Sequence, residues 1–326
     1  MESSTNFLHV IMKAMGSIIA IDIGGTQIRV AAYPADDIKP IKLQKTATKS
    51  SNGCVYEHVV GEIASIWPED RVEAISVAIP GPVDPHTASI IETPNIPGWK
   101  NFPLGEKLAR EFKVPVFVGN DANFAALGEW RYGAGQGHHD LLYLTISTGI
   151  GGGVISDDRL LLGRSGLATE LGHVTVLPGG PLCGCGQRGH LEAISSGTGI
   201  VHYVAEQIAV GHPSVLKEHA NFSARDVAEA ARHGDELAQA AFKNAGEYLG
   251  QALADFLHIF NPSIVIFGGG VSRSGALILD PTRESMQRHV LNQSYLEGLE
   301  LAFARLGDDA GLLGALAMAH IKLVQA

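Results

Sequence analysis

Apolar residues run almost unbroken through positions 18–23 and, after Gly24-Gly25, through positions 28–33. Two short β-branched runs about a Gly-Gly turn predict a hairpin. "VEAISVAI" (72–79) predicts a buried strand that runs into the Gly/Pro loop "PGPVD". "VPVFVGN" (114–120) predicts another strand, followed by the helical stretch "DANFAALGEWRYG" with polar caps at its start. A second strand, glycine turn and strand follow in "LLYLTISTGIGGGVIS" (141–156). This hairpin lies about 125 positions after the first and resembles it in its small residues, Gly and Thr at the bend. Repetition at that spacing predicts two halves built on one plan and facing each other across a cleft.

Beyond it the spacing turns helical. "FSARDVAEAARHG" carries Ser223 and Asp226 at capping-box separation. From Asp235 to Phe260 apolar residues recur at three-and-four spacing for about seven turns. "NPSIVIFGGG" reads as a buried strand ending in three glycines, and "LGDDAGLLGALAMAHIKLV" as a loop feeding a final helix. Strands alternating with helices define an α/β class.

Composition narrows the function classes. The chain has 326 residues, 45% hydrophobic and 18% charged, enough for two domains with separate cores. A net charge of −10 argues against a nucleic-acid footprint, which needs clustered Lys and Arg. No apolar run reaches the ~18 residues of a membrane span. The N-terminal stretch lacks the pattern of a secretory signal, and Met12 and Met15 mark the first dozen residues as a tail or an upstream start. Three cysteines in the whole chain point to a reducing cytoplasm rather than a disulfide scaffold.

Three constellations carry candidate chemistry. In "DIGGT", Gly24, Gly25 and Thr26 can cradle a phosphate, and Asp22 can position Mg²⁺ through water. "STGIGGG", with Thr148, Gly149 and Gly151, repeats the device in the second half, and Gly268, Gly269 and Gly270 suit a nucleobase or ribose lying on bare backbone. In "GNDAN", Asp121 stands at a strand end before a helix, where an ionised carboxylate can take a proton from a hydroxyl; the plainer reading makes it a helix cap. In "ELGH", Glu170 and His173 have i, i+3 spacing and share one side of a turn. His173, Cys183, Cys185 and His190 fall within eighteen residues with glycines between them, which reads first as a tetrahedral Zn²⁺ site; thiol chemistry and chance clustering are the alternatives.

Taken together, "DIGGTQIRV", "PGPVD", "TPNIPGW", "NDANFAALGE", "LTISTGIGGG", "ELGH", "CGCGQRGHLEA", "FGGGVS" and "LGDDAGLLGA" resemble, in order and from Ser17 onward, the ROK family of sugar kinases and repressors. That resemblance implies the actin-like ATPase fold in two domains. One is a smaller domain of residues 1–120 plus about 306–326, and the other a larger one of 121–305 carrying the zinc loop. It implies Asp121 as the base that takes the proton of the sugar 6-hydroxyl, and Asn120, Glu170, His173 and Glu192 as holders of the sugar hydroxyls with Gly81 and Asn95. Mg²⁺–ATP is implied as co-substrate, held by Asp22, Gly24, Gly25, Thr26 and Gln27, by Thr148, Gly149 and Gly151, and by Gly268–Gly270. Family members usually carry C-x-C-G-x-x-G-C-x-E; here His190 replaces the third cysteine. The resemblance therefore implies a structural Cys₂His₂ zinc site completed by His173.

Within the family, "TPNIPGWKNFPL" and "VLPGGPLCGCG" are closest in style to glucokinases. The expectation is glucose 6-phosphorylation, with an N-acetylglucosamine, N-acetylmannosamine or broad hexose kinase as the alternative. The short stretch ahead of Asp22 and the acidic balance point away from a DNA-binding repressor. Intact phosphate loops and Asp121 point away from a catalytically silent sensor. A homodimer or homotetramer in the cytoplasm completes the expectation.

Overall fold

The computed structural model describes residues 16–48, 54–93, 96–219 and 221–325. The first unit opens with β1 (Ser17–Ile23), β2 (Gln27–Tyr33), β3 (Lys42–Ala47), α1 (Val55–Ile66) and β4 (Val72–Ile79). It continues with the two-residue pair β5 (Val83–Asp84) and β6 (Ser89–Ile90), then α2 (Leu104–Phe112), β7 (Val116–Asn120) and α3 (Asp121–Tyr132). The second unit contributes β8 (Leu141–Ile146), β9 (Ile150–Ser156), β10 (Arg159–Leu160), α4 (Leu191–Ser195), α5 (Gly197–Ala209), α6 (Ala224–Arg232), α7 (Glu236–Phe260), β11 (Ile264–Gly268), α8 (Ala276–His289) and β12 (Glu300–Phe303). A final helix, α9 (Ala310–Gln325), returns to the first unit. That unit comprises the described residues up to Gln136, Leu160–Ala168, and those from Asp308 on; the second comprises Gly137–Arg159 and Thr169–Gly307.

The two sheets have matching orders, β3-β2-β1-β4-β7 and β10-β9-β8-β11-β12. In each, a hairpin (β1–β2, β8–β9) is antiparallel and the inner strand pairs in parallel with a later one (β4, β11). The repetition read from the two glycine hairpins is therefore a repetition of topology. β1 is buried on both faces, which explains its near-continuous apolar run. Ile19, Ile21 and Ile23 join the core cluster of Val59 and Ile63 from α1. Alternation puts Ile18, Ala20 and Asp22 on the opposite face, the one on which α9 packs across β1 and β4.

The same α9 packs along α3 and fixes the helix that begins with Asp121. The helices approach closely because Gly314 carries no Cβ; one there would stand 1.8 Å from the Phe124 carbonyl oxygen. Among the described residues no helix is long and apolar enough to cross a membrane.

At the far end of that helix pair His320 is 8% exposed and its Nδ1 lies 3.0 Å from the Tyr132 hydroxyl. Burial, reinforced by Arg131, pushes its pKa down to about 4 from 6.5. The folded protein therefore holds His320 neutral while the unfolded chain protonates it below pH 6.5. Stability from this residue is complete above that pH and is lost as pH falls towards 4, by about 3 kcal/mol. Urea unfolding at pH 7.5 and 4.5 should show that His320→Gln removes most of this acid-dependent loss; an unchanged pH slope would refute it.

Candidate active site

Asn120 ends β7 and caps α3. Its Oδ1 accepts from the backbone N–H of Ala122 at 3.0 Å and of Asn123 at 3.1 Å, while its Nδ2 donates to the Gly81 carbonyl at 3.2 Å. The capping role considered for Asp121 thus belongs to its neighbour. Asp121 is the first residue of α3, half-buried, with Oδ1 accepting from Ala122 N–H at 2.8 Å. The positive end of a helix favours its ionised form. Gly81 has φ +98°, and a Cβ there would stand 2.3 Å from the Glu92 carbonyl oxygen, so the backbone itself demands glycine. Asn95 lies outside the described residues.

The first glycine turn is closed by Gly24 N–H donating to the Gln27 carbonyl at 2.8 Å, with Gly25 and Thr26 between them and Gln27 opening β2. Asp22 lies just before it and pairs across the ladder with Arg29. Burial raises the Asp22 pKa above the ordinary carboxylate value, and the Arg29 guanidinium opposes that shift. The second turn is closed by Ser147 N–H donating to the Gly149 carbonyl at 2.9 Å. Thr148 and Gly270 line a cavity of about 710 Å³ in the second unit, together with Gly197, Thr198 and three arginines, Arg225, Arg232 and Arg273. The sequence reading did not single out these arginines, because nothing local distinguishes them from solvated surface charges. Gly268 closes β11 and Gly269 follows it.

His173 lies on a 3₁₀ turn of residues 171–173, and its N–H donates to the Glu170 carbonyl at 3.0 Å. Its Nδ1 is 3.7 Å from Cys183 Sγ, and Cys185 Sγ is 3.3 Å from His190 Nδ1. One ligand atom from each of the four lies within 4.8 Å of the others. Tetrahedral zinc, with bonds of about 2.3 Å to sulfur and 2.0–2.1 Å to nitrogen, sets its ligand atoms about 3.3–3.8 Å apart. The donor set suits such an ion, and the pairs at 3.7 Å and 3.3 Å already stand at its spacing. Burial first, then the side-chain hydrogen bond with Cys185 and the charge of Glu192, push the Cys183 thiol up to about 11.

Glu192, on α4, joins this cluster to the second glycine turn. Its Oε2 accepts from Ile150 N–H at 2.9 Å and its Oε1 is 3.5 Å from Cys183 Sγ. A Cβ on Gly149 would stand 2.4 Å from Oε2, so glycine is what lets the carboxylate reach the strand. The sequence reading placed Glu192 near substrate; the structure adds this bond to the hairpin, which no spacing rule contains.

A duplicated sheet order with a glycine hairpin in each half defines the actin-like ATPase fold. A ROK family domain spans residues 18–322, and the chain belongs to the ROK family. The chain is 38% identical over 304 residues to a glucokinase of Thermotoga maritima, covering 91% of this chain and 95% of that one. Among solved structures it is similar to a ROK family glucokinase from Streptomyces griseus in complex with glucose and AMPPNP, with 36% identity, TM-score 0.76, and coverage of 94% and 100%. It is also similar to a ROK hexokinase from Thermus thermophilus, with 35% identity, TM-score 0.78, and coverage of 95% and 100%.

Proposed function

We propose that the protein phosphorylates the 6-hydroxyl of glucose with Mg²⁺–ATP. The observation that carries this reading is the place of Asp121: its carboxylate opens α3 at the positive end of that helix, directly after β7, while Asn120 Oδ1 accepts from the capping N–H groups. The likeness to glucokinases over nearly the whole chain supports the choice of sugar. The sugar 6-oxygen attacks the γ-phosphorus, the bond to the bridging oxygen of ADP breaks, and the hydroxyl proton passes to Asp121. Positioning and charge stabilisation supply the rest of such a transfer.

Asn120, Asp121, Gly81 and Asn95 address the sugar, with Glu170, His173 and Glu192 on its hydroxyls; Asp22 to Gln27 and Thr148, Gly149 and Gly151 hold the phosphates, and Gly268 to Gly270 the adenosine. The family resemblance suggests a smaller domain of 1–120 plus about 306–326 and a larger one of 121–305, working as a cytoplasmic homodimer or homotetramer. With His173 Nδ1 turned to the cysteines, its Nε2 is left for a sugar hydroxyl. Zinc, held by His173, Cys183, Cys185 and His190, supplies architecture rather than a reacting group. Its ligands fix the segment carrying His173 and Glu192 before substrate arrives.

The test is kcat/KM with Mg²⁺–ATP across glucose, mannose, fructose, N-acetylglucosamine and N-acetylmannosamine, followed by ADP release. Glucose should lead by at least about tenfold, equivalent to about 1.4 kcal/mol, or one or two hydrogen bonds at the 2-position. A leading N-acetyl sugar would overturn the substrate and keep the reaction. No sugar-dependent ADP release with any of them would overturn the kinase.

A further inference from the structure

Arg29 is a cation sealed inside an apolar strand. It is 5% exposed on β2, in the run "QIRVAAY", whose other residues from Ile28 to Tyr33 are buried and uncharged. Burying a guanidinium is costly unless it is paired and hydrogen-bonded, and all its partners lie at the phosphate end of the hairpin. Nη2 donates to Asp22 Oδ2 at 3.0 Å and to the Asp308 carbonyl, and Nη1 donates to Asp309 Oδ1 at 3.1 Å. Asp308 and Asp309 belong to the turn through which the chain re-enters the first unit after Gly307 and starts α9. One side chain therefore grips both the carboxylate before the first glycine turn and the head of the last helix.

Asp22 is held from a second side. Gly311, in the first turn of α9, comes so close that a Cβ there would stand 2.9 Å from Asp22 Cγ. With Oδ2 taken by Arg29, Oδ1 has no hydrogen-bond partner among the described residues, and the side chain is 25% exposed. The duplication of the fold supplies an internal control. Asp22 and Arg29 are the cross-strand pair one step before the pair that closes the first hairpin, and the corresponding pair in the second hairpin is Thr145 and Gly151. The second hairpin forms without a charge at that place, so the hairpin itself does not need the ion pair.

We propose that Arg29 is a positioning residue of phosphoryl transfer: it pins Asp22 to the turn before α9, so that Asp22 Oδ1 faces the divalent cation of the bound nucleotide. This rests on the reading of the protein as a Mg²⁺–ATP-dependent kinase. Arg29 touches no reacting atom. Its removal leaves Asp22 without a fixed direction and without the cation that opposes the effect of its burial, and outer partners of metal-binding groups typically matter by 10–100-fold in metal affinity.

The experiment is calorimetric binding of ADP to the full-length protein with and without Mg²⁺, for the wild type, Arg29→Lys, Arg29→Gln and Asp309→Asn, together with the Mg²⁺ dependence of sugar phosphorylation. The gain in ADP affinity that Mg²⁺ confers on the wild type should fall by about tenfold or more in the Arg29 variants and by a smaller factor in Asp309→Asn. Metal-free ADP affinity and the KM for sugar should stay within about twofold. Kcat in Arg29→Lys should recover at raised Mg²⁺. If Arg29→Gln fails to fold, Arg29→Lys and Asp309→Asn still decide. Folded variants with the wild-type Mg²⁺ gain overturn the proposal, as does an equal loss of metal-free ADP, Mg²⁺–ADP and sugar affinity, which is the signature of a purely structural residue. A wild type with no sugar-dependent turnover and no Mg²⁺ effect on ADP binding overturns the kinase reading itself.

Discussion

Asp121→Asn should lower kcat by about 10²–10⁴-fold, the range a general base supplies, while the KM for sugar stays within a few-fold. The local structure makes this a clean substitution. The backbone donors at the head of α3 are satisfied by Asn120 Oδ1, and the new side chain keeps an oxygen for the Ala122 N–H. Thermal unfolding should therefore change little, and a loss of turnover would report chemistry rather than a frayed helix. Asn cannot accept the hydroxyl proton at neutral pH. An Asn variant with near-wild-type kcat would remove Asp121 from the role of base.

Stripping the metal, by chelation or by Cys183→Ser, should raise the KM for sugar about 10–100-fold, the usual effect of disturbing the support of a metal-ordered site. It should also raise the KM for ATP, and this second effect follows from Glu192. That carboxylate lies 3.5 Å from Cys183 Sγ and bonds Ile150 N–H at the start of β9, directly after the turn of residues 147–149. Releasing the cysteine loop loosens the carboxylate and so the backbone of the hairpin. Kcat at saturating substrates should fall far less than in Asp121→Asn. The proton held by Cys183, whose pKa is pushed up to about 11 by burial, must leave as metal enters. Zinc affinity therefore rises with pH, about tenfold per unit for that proton. Titration with a zinc-responsive dye between pH 6 and 8 checks this, and steady-state kinetics on protein verified as metal-free checks the rest. Unchanged KM values in metal-free protein would refute the architectural role.

Much of the site was legible because its parts are local. A glycine turn between two β-branched runs is a property of about fifteen consecutive residues, as is a capping box such as Ser223 with Asp226, which the structure forms in full. The cysteine–histidine group lies within eighteen residues, so composition alone brought it to notice, and the fold draws the donors to within 4.8 Å. The exchange of roles between Asn120 and Asp121 was not legible. Both residue types cap helices well, and only the φ and ψ of Asn120, −63° and 140°, outside the helical region, decide which of them stands before the first turn.

By itself the sequence determined the α/β class, the two hairpins and the polar ends of the strands, and it brought the four cysteine and histidine donors to notice. These follow from periodicity and residue chemistry over short spans. Tertiary structure alone decided which oxygen of Asp22 is engaged, that Arg29 is closed over by a turn 280 residues away, that Glu192 joins the cysteine–histidine group to the second hairpin, and that His320 is buried beside Tyr132, 188 residues distant. The physical reason is common to all four. A buried charge or imidazole is tolerable only where partners and packing arrive from elsewhere in the chain, and where they arrive from is set by sheet order and helix return, which local pattern does not encode.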